Sequence, residues 1–202
     1  MERVIAYIDG YNLYYGLKEQ GWKRFYWLNL QKLSEQFLRS NQTLITTKYF
    51  TTIVKQPNDK RLRQQVFLEA LKTLSNLPIF YGHFLSDQIA CRRCGHTYTT
   101  HHEKMTDVNI SVELMRDAFQ DQFDVAFLIS ADSDLIAPIR TVQQLFPKKK
   151  IVSIFPPGRF SSALKHVSNG TLRIGHVELS KSLFPDQINK AGIILQRPNT
   201  WR

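Results

Sequence analysis

The sequence predicts an α/β fold: a doubly wound parallel sheet with helices on both faces. Three observations predict it. Short apolar runs, Val4–Ile8 and Val125–Ile129 above all, have the near-continuous hydrophobicity of strands buried on both faces. Between such runs, apolar residues recur at helical spacing. The runs also stop abruptly, at Asp9-Gly10 and at Ser130-Ala-Asp-Ser-Asp134. Strands alternating with helices imply right-handed crossovers and a helical layer on each side of the sheet.

In chain order, Val4–Ile8 is the first strand, and Tyr11–Lys18 reads as a helix with Asn12 near its start. Leu30, Leu33, Phe37 and Leu38 mark a second helix. Leu44–Val54, rich in Thr, Ile, Tyr and Phe, is the second strand. After Pro57-Asn58-Asp59 a long helix carries Leu62, Val66, Ala70, Leu71 and Leu74 on one stripe. Lys60, Arg61 and Arg63 stand in its first turn, the wrong end for cations in the helix dipole, so a partner or simple solvation accounts for them. Ile79–Leu85 is the third strand and 87–104 an inserted loop. Thr106 opens a helix to about Phe119, with Val108, Val112, Met115 and Phe119 expected inward. Val125–Ile129 is followed by a helix through Leu135, Ile139, Val142 and Leu145, broken at Pro147. Ile151–Phe155 is a fifth strand, Ser161–Val167 a short helix and Thr171–Val177 an edge strand. Beyond Lys181 the tail, with Pro185, Gly192 and Pro198, is expected to be loosely attached.

A chain of 202 residues suits one domain with modest extensions. No apolar run approaches the ~20 residues that span a bilayer, and Asp9 interrupts the only N-terminal apolar run, so no signal peptide is read. The expectation is a cytoplasmic protein without a membrane partner. A net charge of +10 favours polyanions, because neutralising phosphates releases counterions. Charge alone does not separate RNA from DNA, nor either from a merely solvated basic surface.

Ligands of doubly wound sheets bind beyond the carboxyl ends of the strands. Asp9 ends the first strand, and Asp132 and Asp134 follow the fourth, so carboxylates distant in sequence fall on one sheet edge. Converging carboxylates repel unless a cation sits among them. Hard oxygen donors suit Mg²⁺ or Mn²⁺, and such ions support in-line phosphodiester hydrolysis. Taken singly, each Asp has a bland alternative: a helix cap, a first-turn residue or a turn.

Ile8-Asp-Gly-Tyr-Asn12, Glu103-Lys-Met-Thr-Asp-Val108 and Ile129-Ser-Ala-Asp-Ser-Asp-Leu135 resemble, in that order, the motifs of NYN domains, LabA-like members of the PIN-like nuclease superfamily. The resemblance covers roughly Arg3 to Ile174. It implies a PIN-like (Rossmannoid) sheet of order 3-2-1-4-5 and metal-dependent endoribonuclease activity. It makes Asp9, Asp107, Asp132 and Asp134 the Mg²⁺ or Mn²⁺ ligands, with Asn12 holding a metal-bound water or a phosphate. Lys104, Tyr11, Ser130 and Arg159 are then candidates to contact RNA. One departure is Ala131, where the family often has Gly. The implied organisation is a nuclease domain over 1–178, an insert at 87–104 and a tail over 179–202.

Within the insert, Cys91 and Cys94 form a CxxC followed by His96, His101 and His102, enough donors for a structural Zn²⁺ without all of them being used. An exposed loop with two free thiols is the alternative. Trp22-Lys-Arg-Phe-Tyr-Trp27 mixes cations with aromatics, as single-stranded nucleic acid favours, or as a packed corner requires. Of Tyr11, Tyr14 and Tyr15, one is a candidate to stack on a base. Two other function classes stay open. One is a non-catalytic module that binds RNA or a partner protein; a second copy of the chain or a regulatory protein is a candidate partner in any of these readings. The other is a small-molecule phosphohydrolase, disfavoured because Tyr11 stands where Asp-x-Asp chemistry wants a second Asp.

Overall fold

The computed structural model describes residues 1–90 and 93–202, with the side chains of all of these except 84–89 and 98–104. The chain runs β1 Glu2–Asp9, α1 Gly10–Glu19, α2 Leu30–Glu35, β2 Gln42–Thr51, α3 Asn58–Leu71 and β3 Ile79–Tyr81. It continues through β4 His83–Ala90, β5 Thr97–Lys104, α4 Thr106–Phe119, β6 Val125–Ile129, α5 Ile136–Leu145, β7 Lys150–Phe155, α6 Ser162–Val167 and β8 Gly170–Arg173. Last come α7 His176–Lys181, β9 Gln187–Lys190 and β10 Ile193–Gln196. No helix among the described residues is long and apolar enough to cross a membrane.

Six strands form one parallel sheet in the order β3-β2-β1-β6-β7-β8. Counting sheet strands alone, this is the expected 3-2-1-4-5 with a sixth strand added at the edge. Alternation along β1 sends Val4, Ala6 and Ile8 into a core covered by α1, α2, α3 and α7. Ile5 and Tyr7 enter the opposite core, under α4, α5 and α6. Ile8 pairs with Ile129, so Asp9, the last residue of β1, and Ser130, the residue after β6, meet at the same edge.

The second core contains a buried charge cluster. Tyr7 pairs with Lys48 across β1 and β2, and α4 brings Glu113 and Asp117, one turn apart, over that pair. The Lys48 ammonium lies 2.7 Å from Glu113 and 2.6 Å from Asp117. The Tyr7 hydroxyl donates to Asp117 at 2.6 Å. Burial, with the Asp117 charge beside it, holds that phenol well above its ordinary pKa. Arg116, reaching in from the surface, completes the pairing of Glu113.

Three expectations are corrected here. Val108, Val112, Met115 and Phe119 face outward, Phe119 with 81% of its surface exposed, while Ile110, Glu113, Leu114 and Asp117 face the sheet. The stretch read as a loop is largely an antiparallel ribbon, β4 with β5, because its Thr, Tyr and Ile content suits strands. The tail is not loose. Trp27 donates its indole N–H to the Pro185 carbonyl at 2.8 Å, Lys190 pairs with Glu69 at 2.6 Å, and Leu179, Phe184 and Trp201 are buried. Aromatic burial holds the tail down despite its helix-breaking residues. The strand expected over Ile79–Leu85 is split, with β3 ending at Tyr81 and the rest starting β4; Leu62 is exposed at the start of α3, and the edge strand stops at Arg173.

Candidate active site

Asp9 is both the last residue of β1 and the N-cap of α1. One carboxylate oxygen, Oδ1, accepts from the Asn12 backbone N–H at 2.9 Å. The other accepts from the Asn12 side-chain amide and from the Ser130 hydroxyl, each at 2.9 Å. Asn12 also accepts from the Ala131 backbone N–H at 3.3 Å, so it ties the end of β1 to the end of β6. Ser130 accepts in turn from the Asp132 N–H at 3.0 Å. Asp132 caps a single 3-10 turn, Ser133–Leu135, by accepting from the Asp134 N–H at 3.0 Å. Asp9, Asn12, Ser130 and Asp132 therefore form one hydrogen-bonded chain across two strand ends.

Gly10 makes this approach possible. A Cβ there would sit 2.6 Å from the Phe50 carbonyl oxygen and 2.7 Å from the Tyr49 ring, so any side chain would push α1 away from β2. Gly16 plays the same part farther along α1, against the Pro157 carbonyl.

Asp9 is almost fully buried, at 2% exposure. Desolvation pushes its pKa up, against three hydrogen bonds that pull it down, and the Asp132 charge adds to the rise. No ion pair to Asp9 is recorded among the described residues. A buried carboxylate lifted in this way, with a second carboxylate within electrostatic reach, fits a cation site by donor chemistry. Among the described residues, however, no three or more His, Cys, Asp or Glu side chains form a metal-holding group. Mg²⁺ tolerates that arrangement, since it binds through one or two carboxylates and takes its remaining ligands from water and phosphate.

The other predicted residues fall as follows. Asp107 is half-buried in the first turn of α4, which packs against the turn that carries the exposed Asp134. Tyr11 donates its hydroxyl to Tyr15 at 3.2 Å. Arg159 pairs with Glu19 on α1. The side chains of Lys104, His101 and His102, and Cys91 altogether, lie outside the described residues. Cys94 and His96 are exposed. The ribbon register sets His101 opposite Ser86 and His102 opposite Leu85, four and five pairs in from the last pair, Ala90 with Thr97. At strand rise that separates their backbone positions from that last pair by roughly 14 and 17 Å.

Sequence reading did not assemble a cleft of about 1130 Å³ whose lining includes Gly10 and Tyr11, the two residues after Asp9. It starts at Gly10 and Tyr11 and runs between α1 and the first turns of α3, toward Trp201. Its residues come from five separate segments, so no local pattern announces it. The Trp22–Trp27 segment divides its work: Trp27 is core, Phe25 is buried at the base of the cleft, and Lys23 and Tyr26 line it.

The model of the NYN domain family matches residues 3–175. Among solved structures, one similar chain is a protein of unknown function from Vibrio parahaemolyticus. It is 16% identical, with a TM-score of 0.55, over 91% of this chain and 96% of that one. At that identity the likeness speaks for the fold alone. No curated protein matches the sequence.

Proposed function

This chain belongs to the NYN domain family of the PIN-like superfamily, whose members generally hydrolyse nucleic acids, and from that premise we propose that it is a metal-dependent endoribonuclease. The observation that carries the reading is the hydrogen-bonded run Asp9–Asn12–Ser130–Asp132 at the carboxyl edge of the sheet. Asp9 and Asp132 would hold a Mg²⁺ or Mn²⁺ ion, with Asp107 and Asp134 completing the acidic rim. A divalent cation at that point lowers the pKa of a coordinated water and offsets phosphate charge. Asn12 and Ser130 keep the Asp9 carboxylate aimed, since their polar atoms are committed to it and to the β6 terminus. Both are positioning residues in this reading rather than groups that touch RNA. The net charge of +10 draws the polyanion in.

A non-catalytic RNA-binding module is the second reading. It draws on the absence, among the described residues, of a preformed group of three donors. One experiment decides between them. Purified protein is given labelled single-stranded RNA with Mn²⁺ or Mg²⁺, and then with chelator. Cleavage that stops with chelator and in both Asp9→Asn and Asp132→Asn supports the nuclease. Binding without turnover in every metal condition supports the module.

A further inference from the structure

The cleft lined by Gly10, the residue after Asp9, contains a continuous series of aromatic rings. Tyr11 lies 4.5 Å from Tyr15, ring centre to ring centre, and Tyr15 lies 5.3 Å from Tyr14. Tyr14 is 5.1 Å from Tyr26, and Tyr26 is 5.6 Å from Trp201. The series therefore leads from the residue after Gly10 to the far wall of the cleft. Tyr11 and Tyr14 are each more than a third exposed, which leaves ring surface open to the cleft. Burial raises the Tyr14 phenol and pushes Tyr26 up to about 12, so both keep their protons at neutral pH and remain hydrogen-bond donors.

Cations rim these rings. Lys18, Lys23, Lys55, Lys60 and Arg63 line the cleft against a single carboxylate, Asp59, which Arg63 already pairs at 2.8 Å. The four lysines are left in excess, and the Lys18 ammonium also stands 5.1 Å over the Tyr15 ring. The far wall comes from beyond the matched family domain. Arg197 donates to the Arg24 carbonyl at 2.6 Å and to the Trp201 carbonyl, fastening the C-terminal turn against the 3-10 turn Lys23–Tyr26.

We propose that this cleft binds single-stranded nucleic acid, with unpaired bases stacked along the Tyr11–Tyr14–Tyr26 rings and the backbone held by the rim lysines as it passes to Asp9. Aromatic faces inside a cleft are open to unpaired bases and closed to a duplex, whose bases are already stacked on one another. Ring series and cationic rim together match a polyanion carrying flat apolar groups. The proposal rests on the nuclease reading only for the identity of the strand as RNA.

The test is fluorescence anisotropy with a labelled oligouridine of about ten nucleotides, in chelator, against the same strand annealed to oligoadenine. The single strand should bind at least tenfold more tightly than the duplex. Tyr14→Ala should weaken it by about five- to tenfold or more, the usual cost of removing one stacking ring. Tyr14→Phe, which keeps the ring, should bind within about twofold of the parent. Reversing Lys23→Glu with Lys60→Glu should flatten the salt dependence by about 1.4, for two phosphates at roughly 0.7 each. Equal binding of single strand and duplex overturns the proposal, and so does a Tyr14→Ala protein of unchanged thermal midpoint that binds normally. The two readings fail separately. A protein that never cleaves RNA but shows these binding results loses the nuclease assignment and keeps the cleft. A protein that cleaves with metal while Tyr14→Ala binds normally does the reverse.

Discussion

Replacing Lys48 by Met is the sharpest probe of how α4 is held. The ammonium lies 2.7 Å from Glu113 and 2.6 Å from Asp117, and the three side chains are only 7%, 8% and 4% exposed. Met matches the length of the Lys stem and removes the charge. Breaking a buried pair from one side costs about 3–5 kcal/mol, since a charge is left without its partner. Here both carboxylates keep some support: Glu113 retains Arg116 at 2.5 Å, and Asp117 retains the Tyr7 hydroxyl at 2.6 Å. The low end, about 3 kcal/mol, is therefore expected. In a domain of this size each kcal/mol lowers the melting midpoint by about 2–4 °C, giving a fall of about 6–12 °C. Urea unfolding followed by circular dichroism reads the first number and a thermal scan the second. A loss below about 1 kcal/mol would mean that the cluster is wetter than its burial indicates, and the reasoning would be refuted.

Three other outcomes follow from the same geometry. Saturating Mg²⁺ or Mn²⁺, at about a hundred times its dissociation constant, should stabilise the protein by about 2.7 kcal/mol, or roughly 5–11 °C in thermal midpoint; the shift should vanish in Asp9→Asn, and an equal shift there would remove Asp9 from the site. Ser130→Ala should cost about 1–3 kcal/mol, because the Asp132 N–H and an Asp9 oxygen both lose a buried partner; cleavage should fall about tenfold or more in kcat with KM little changed, as for a misplaced carboxylate. At acid pH, Arg3 holds the Asp124 carboxyl down at about 2 from its ordinary 3.8. A lowered folded pKa gives stability that is present above the unfolded value and lost as pH falls toward 2. Arg3→Gln should thus move the acid-unfolding midpoint upward, modestly because the pair is half-exposed, and an unmoved midpoint counts against the pair.

Much of the sheet was legible because its central strands are buried on both faces and advertise it in composition, as Val4–Ile8 and Val125–Ile129 do. Strand ends then placed Asp9 and Asp132 at one edge by topology alone. What sequence did not show was how the two are joined. Ser130 reads as one more turn serine, and its link to Asp9 exists only through the pairing of β1 with β6. The family resemblance makes Asn12 the holder of a metal-bound water or a phosphate; nothing in the motif announces that its amide also ties Asp9 to Ala131. The cleft was hidden for another reason. Tyr14 and Trp201 stand at opposite ends of the chain, and no local periodicity relates residues that meet only after folding.

Helix α4 has two apolar sides. One carries Val108, Val112, Met115 and Phe119; the other carries Ile110 and Leu114, interrupted by Glu113 and Asp117. By hydrophobicity alone the uninterrupted side should lie against the sheet, yet it faces water. Turning the helix half a revolution about its axis would bury the oilier side and strand Lys48 in the core, facing no anion. An isolated buried ammonium costs several kcal/mol, which opposes what burying the apolar stripe would return. Lys48 thus works as a keyway that favours one azimuth of the helix over the other.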